Sequence, residues 1–217
     1  MKVGTDGVLL GAWTETSDEI KQVLDIGTGT GLIALMLAQR IPGADVMGVV
    51  IEEVSQAREN ADASPWSARV NFRQIPVQEF RPDKSFDLIV SNPPFFVDSL
   101  TCPDPGRTQA RHTVSLPFEA LRDAVVRLLA PGGHFSLILP SSEAERFIVV
   151  CGGKLRLSCR TDVRTRPGIA PKRALLTFVH DDGCPPATAD TLTIGTGEHE
   201  SYTPEYQTLT RDFYLKF

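Results

Sequence analysis

The sequence predicts an α/β protein built on one mostly parallel sheet, with an antiparallel hairpin towards the C-terminus. Three observations carry this. Short apolar runs alternate with amphipathic helical stretches over the first 150 residues, and such alternation implies right-handed crossovers with helices on both faces of a parallel sheet. The first apolar run ends in a glycine-rich turn that opens a helix. Two longer strand patterns near the end are separated only by a Pro/Gly turn, which makes them a hairpin.

In order, Lys21–Gly27 reads as a strand entering the glycine-rich turn, and Leu32–Arg40 as a helix stopped by Pro42 and Gly43. Asp45–Ile51 is a second strand, and Glu52–Ala63 a helix ending before Pro65. Val70–Gln74 and Ser85–Val90 are strands, the latter running into Asn92-Pro93-Pro94. Pro117–Leu129 is a helix closed by Pro131, Gly132 and Gly133, and His134–Leu139 is the next strand. Leu155–Arg164 and Arg173–Val179 form the hairpin, Thr191–Ile194 a short edge strand, and Pro204–Leu209 a last helical turn or two. No linker is visible, so residues 1–217 read as one domain with a basic hairpin at about 154–180 and an acidic tail at 181–217.

Composition narrows the function classes. With 41% hydrophobic and 23% charged residues, the chain is neither collagenous, coiled-coil nor largely disordered. The longest clean apolar run, Leu32–Ala38, is far too short to span a bilayer, and the first residues show no export signal. Four cysteines without C-x-x-C spacing read as reduced thiols, so a cytoplasmic protein is expected; neither a membrane nor a metal partner is expected, and a monomer is favoured although the sequence does not fix the oligomeric state. The net charge of −5 argues against indiscriminate nucleic-acid binding. Yet Lys154–Arg173 holds seven bases and one acid, a strip suited to gripping an anion in one place.

Two segments carry chemistry. Asp25-Ile26-Gly27-Thr28-Gly29-Thr30-Gly31 follows a strand and opens a helix, where glycines bare the backbone and a helix N-terminus offers free N–H groups. Dinucleotide folds want G-x-G-x-x-G; here the spacing is G-x-G-x-G with an acid two residues before the first glycine. An acid there is awkward for a pyrophosphate and sensible for a ligand with a cationic amine, such as S-adenosylmethionine. The second segment is Ser91-Asn92-Pro93-Pro94-Phe95, directly after a strand. Its prolines force extended backbone and remove two donors. The Pro93 carbonyl and the Asn92 amide oxygen are then two acceptors for the hydrogens of one –NH₂ group, aiming its lone pair at an electrophile, and Phe95 offers a ring to stack on. Both segments lie at strand ends, where open α/β sheets bind ligands.

The pairing of DIGTGTG with NPPF resembles class I S-adenosylmethionine-dependent amino-methyltransferases. In detail it is similar to the bacterial family that methylates N6 of adenine 37 in the anticodon loop of a valine tRNA. The matching stretches are Lys2–Trp13, Leu32–Arg40, Gln56–Trp66, Phe86–Phe96, Cys102–Thr113 and Tyr202–Phe217, which together span essentially the whole chain. The resemblance implies the class I Rossmann-like fold, seven strands with the last antiparallel, and S-adenosylmethionine as cofactor. It implies that Asp25, Gly27, Thr28 and Gly29 line the methionine end and that Thr5 and Asp6 close that pocket. Asn92 with Pro93 would orient the adenine amine, Pro94 would stiffen the turn, and Phe95 would stack on the base. An RNA partner needs cations, for which Arg107, Arg111, Arg160, Arg164, Arg166, Lys172 and Arg173 are the candidates.

The sequence departs from that family at two acids. Val50 stands where an acid takes the ribose hydroxyls of the cofactor, and Pro76 where an Asp meets its adenine amine. Each lost hydrogen bond to a charged acceptor is worth about 1.5–3 kcal/mol, so Glu52 and Gln78 are the expected substitutes. Alternatives stay open: a protein glutamine N5-methyltransferase, since the same turn serves an amide nitrogen, or an RNA-binding homologue with impaired cofactor binding.

Overall fold

The computed structural model describes residues 4–94, 116–181, 187–199 and 201–215. Helix α1 (Thr5–Trp13) precedes β1 (Gln22–Ile26), α2 (Leu32–Arg40), β2 (Asp45–Val50), α3 (Ser55–Asp62), β3 (Val70–Gln74) and β4 (Phe86–Ser91). After β4 come α4 (Phe118–Leu128), β5 (Leu129–Pro140), α5 (Ser141–Cys151), β6 (Leu155–Arg164), β7 (Arg173–His180), β8 (Thr188–Thr193) and α6 (Pro204–Thr210). All eight described strands join one sheet in the order β3-β2-β1-β4-β5-β7-β6-β8.

Only β7 runs against its neighbours, pairing antiparallel with both β5 and β6, while β8 adds to β6 in parallel. The expected hairpin is therefore present, but the described sheet has eight strands rather than seven. The extra one is β8, longer than the short edge strand read from the sequence. The acidic tail is no appendage: Leu192 of β8 and Tyr206 of α6 are buried in the core on the α1–α2 face. Their apolar burial outweighs the surrounding acids, which stay at the surface.

Strands β1 and β4 are nearly continuous apolar runs because helices cover both faces. On one side α1, α2, α3 and α6 enclose Leu9, Leu37, Phe72, Leu88 and Leu175. On the other, α4 and α5 enclose Phe135, Phe147 and Phe178, whose rings meet largely edge to face. Helices α1 and α5 fall outside the sequence-based elements. In α1 six consecutive residues, Gly7–Ala12, are buried, so no amphipathic stripe marks it, and Gly7 and Gly11 weaken its propensity. Gly11 lets α2 approach closely there, since a Cβ would meet the Met36 sulfur at 2.7 Å and displace that side chain. Helix α3 starts three residues later than expected, leaving a four-residue link, 51–54, after β2.

Several arginines act as backbone clamps rather than surface charges. The Arg40 guanidinium donates to the Gly11 and Thr14 carbonyls at the end of α1, at 2.8 and 2.7 Å. Arg69 donates to the carbonyls of Ala38 in the last turn of α2 and of Ile41 and Ala44 after it. Arg127 of α4 donates to Val77 and Phe80, fixing the loop after β3. Among the described residues, no helix is long and apolar enough to cross a membrane.

Candidate active site

The parallel strands β1, β2 and β4 end together at Ile26, Val50 and Ser91, and their register places Ile26 beside Val49 and Ser91. Each chain then turns away, and the three turns enclose a cavity of about 380 Å³. Its wall comprises Ile26, Gly27, Gly29 and Thr30 from the first turn, Val49–Glu53 and Gln56 from the second, and Ser91–Pro94 from the third. Ile75, Val77, Gln78 and Leu116 complete it. The two chemistry-bearing turns thus open into one hollow at the carboxyl end of the sheet.

Glycine is required in the first turn. Gly27, Gly29 and Gly31 have φ of 76°, 54° and 80°, the left-handed region that side chains disfavour. A Cβ on Gly27 would meet nothing within 4 Å, so its backbone is bared to the cavity, whereas one on Gly31 would strike the Phe72 ring at 2.7 Å. The turn is stapled from three sides. The Gly27 and Thr28 amides donate to the Val49 carbonyl at 2.8 and 3.2 Å. Asn60 of α3 donates to the Thr30 carbonyl at 2.9 Å. The Ser91 hydroxyl donates to the Ile26 carbonyl at 2.9 Å.

Asp25 sits behind this turn rather than in its wall. Its side chain is fully buried, Oδ2 accepts from the Thr28 hydroxyl at 2.7 Å, and Oδ1 has no hydrogen-bond partner. Burial pushes its pKa up to about 6, against the pull of the Thr28 hydroxyl. Thr28 is likewise turned inward. Of the residues expected to line the methionine end, then, only Gly27 and Gly29 reach the cavity. Thr5 and Asp6 do not reach it. Asp6 lies at the same end of the sheet but accepts from Arg173 Nε at 2.8 Å, pinning the start of α1 to the start of β7.

At the positions of the two missing acids, Val50 forms apolar wall, while Pro76 opens a turn whose carbonyl accepts from Glu79 and Phe80. Both expected substitutes, Glu52 and Gln78, line the cavity. Glu53 and Gln56 join them unforeseen, because the short link after β2 keeps residues 52 and 53 at the rim of the hollow. No Lys, Arg or His lines it among the described residues. A wall with two carboxylates and no base suits a cationic ligand and opposes a pyrophosphate.

The basic strip is divided by the structure. Arg160 is bound to Glu145 at 2.6 Å and Asp162 at 2.9 Å, and Arg173 to Asp6. These two charges are compensated locally, because each strand neighbour or packed helix presents a carboxylate. Arg164, Arg166 and Lys172 sit at the β6–β7 connection, with Arg166 and Lys172 exposed. Pro140 at the end of β5 pairs with Arg173 at the start of β7, so that connection lies at the cavity end of the sheet. Phe95, Arg107 and Arg111 lie outside the described residues.

This cavity, at the carboxyl ends of a mostly parallel sheet in which β7 alone is reversed, marks the fold of a class I methyltransferase. The chain belongs to the methyltransferase small-domain family, whose match covers residues 4–140. Its relatives include a tRNA1(Val) (adenine(37)-N6)-methyltransferase of Phocaeicola vulgatus, 47% identical over 99% of this chain and 91% of that protein. Proteins of the same name from Bacteroides thetaiotaomicron and Flavobacterium psychrophilum are 45% and 42% identical, over 99% and 100% of the chain and 91% and 93% of their own lengths. Among solved structures, a predicted O-methyltransferase of Agrobacterium tumefaciens superposes with a TM-score of 0.73 at 22% identity, over 95% of this chain and 96% of that one. A glycopeptide N-methyltransferase complexed with S-adenosylmethionine gives 0.59 at 14% identity, over 81% and 94%. These two likenesses are of fold.

Proposed function

We propose that the protein transfers a methyl group from S-adenosylmethionine to the exocyclic N6 of an adenine in tRNA, adenine 37 in the anticodon loop of a valine tRNA. The observation that carries this reading is the shared cavity: a glycine-rich turn and an Asn-Pro-Pro turn open into it, with glutamates and, among the described residues, no base in its wall. The names of its full-length relatives support the same substrate. The cavity has the size of a small-molecule site, which runs to about 300–1,000 Å³. Bared glycine backbone, carboxylates for hydroxyls and an apolar wall of Val50, Ile75 and Val77 fit a nucleoside with an amino-acid arm.

When bound, S-adenosylmethionine supplies an activated methyl group on a cationic sulfur. The chain's own residues bind and orient. The Gly27–Thr30 backbone receives the amino-acid arm. Glu52 or Glu53 accepts from ribose hydroxyls, and Gln78 reads the nucleoside base. Asn92 Oδ1 and the Pro93 carbonyl accept the two hydrogens of the substrate amine, turning its lone pair towards the donor. The amine is not basic, so its proton leaves to water once the new C–N bond has formed. Catalysis is then mostly positioning. Presenting an anticodon-loop base requires only unstacking, about a few kcal/mol. Arg164, Arg166 and Lys172 grip the RNA phosphates beside the cavity. Incubation with labelled S-adenosylmethionine and unmodified tRNA, followed by nucleoside analysis, tests the reading: N6-methyladenosine supports it, and no labelled nucleoside refutes it.

A further inference from the structure

Past Ile26 and Ser91 the two chemistry-bearing turns part. The Gly27 and Thr28 amides go to Val49 on the opposite side, and Pro93 and Pro94 have no N–H to extend the ladder. One side-chain bond joins the turns among the described residues, from Ser91 Oγ to the Ile26 carbonyl at 2.9 Å. Ser91 is buried, 1% exposed, yet belongs to the cavity wall, and it directly precedes Asn92 as Ile26 precedes Gly27.

We infer that Ser91 is a positioning residue, whose hydroxyl sets the spacing between the donor-binding turn and the amine-orienting turn. The inference rests on the proposed methyl transfer and concerns a hydroxyl that is spent on the Ile26 carbonyl and acts through the two turns. Reacting atoms must be held about 3–3.5 Å apart, and a misplacement of about 1 Å slows a reaction on the order of 100-fold. Without the hydroxyl, the Ile26 carbonyl loses a buried donor, and each turn relaxes about its own strand end.

The test compares Ser91→Thr with Ser91→Val, two side chains of nearly one shape that differ in the hydroxyl. Single-turnover methyl transfer to tRNA is expected to stay within about threefold of wild type in Ser91→Thr and to fall about 10- to 100-fold in Ser91→Val. Affinity for S-adenosylmethionine and KM for tRNA should change little in either. Equal rates in the two variants overturn the inference. Amide hydrogen exchange supplies a readout independent of the chemistry: residues 27–31 should exchange faster in Ser91→Val than in Ser91→Thr. If wild-type protein transfers no methyl group, the proposed function fails, while unequal exchange still upholds the coupling of the turns. Equal exchange sinks the coupling whatever the reaction.

Discussion

Asp25→Asn isolates the one buried, half-satisfied carboxylate of the site. Its pKa is raised from 3.8 to about 6 by burial. A raised carboxyl pKa means that the folded state holds the proton more tightly than the unfolded state. Relative stability is therefore greatest below pH 3.8 and is lost as pH rises to about 6. Integrated over that window, the ionised side chain disfavours folding by about 3 kcal/mol at pH 8, and by about half as much at pH 5. Asparagine keeps an acceptor for Thr28 and abolishes the titration. It also places an amide where Oδ1 has no partner, which costs about 1–3 kcal/mol. The absolute difference at pH 8 is thus small, and the discriminating quantity is its change with pH.

Denaturant unfolding of both proteins at pH 8, 6 and 5 measures this. Wild type should gain about 1–2 kcal/mol on Asp25→Asn between pH 8 and pH 5, since titrations elsewhere cancel in the difference. A cationic ligand in the cavity relieves the same penalty, so at pH 8 S-adenosylmethionine should raise the unfolding temperature of wild type more than that of the variant. A stability difference that stays constant across this range, or moves the other way, would refute the placement of an ionisable group behind the turn.

Other expectations follow from the cavity wall and its rim. Asn92→Ala should lower the rate of methyl transfer by on the order of 100-fold or more, leaving S-adenosylmethionine affinity by calorimetry within about twofold. The double variant Glu52→Gln with Glu53→Gln should weaken that affinity about 10- to 100-fold, the value of a hydrogen bond to a charged acceptor. Unchanged binding would place the ribose elsewhere. Reversing Arg166 and Lys172 to Glu should weaken tRNA binding and lower the slope of log Kd against log salt by about one for each phosphate no longer neutralised, without affecting S-adenosylmethionine.

Much of this is legible in the sequence, and the exceptions share a cause. Strand and helix positions in the first half follow from period and punctuation, as at Pro42-Gly43 and Asn92-Pro93-Pro94. What periodicity cannot carry is an element buried on all sides, such as α1, or the partner of a given charge. Arg160 and Arg173 read as cations for RNA because Glu145 and Asp6 are 15 and 167 residues away in the chain, and nothing local marks Asp162 as a partner of Arg160 rather than the strip's one acid. Ser91 escapes notice for the opposite reason. A small hydroxyl residue at a strand end has no signal until the neighbouring strand supplies the carbonyl that it binds.

The two missing acids show how local chain length substitutes for residue identity. Val50 cannot accept a hydrogen bond through its side chain, and its carbonyl is committed to the Ile75 amide at 2.8 Å. The next residue is tethered as well, since Gln74 Nε2 donates to the Ile51 carbonyl at 3.2 Å. With the chain tethered there and Val54 buried at the start of α3, the backbone of Glu52 and Glu53 is held beside the hollow from both ends. Lengthening it by two glycines after Glu53 would leave both carboxylates in the sequence while freeing them from the wall. If their placement replaces the lost acid, this insertion should weaken S-adenosylmethionine binding as much as removing both charges does. An insertion variant that binds like wild type would show that the wall needs no carboxylate there.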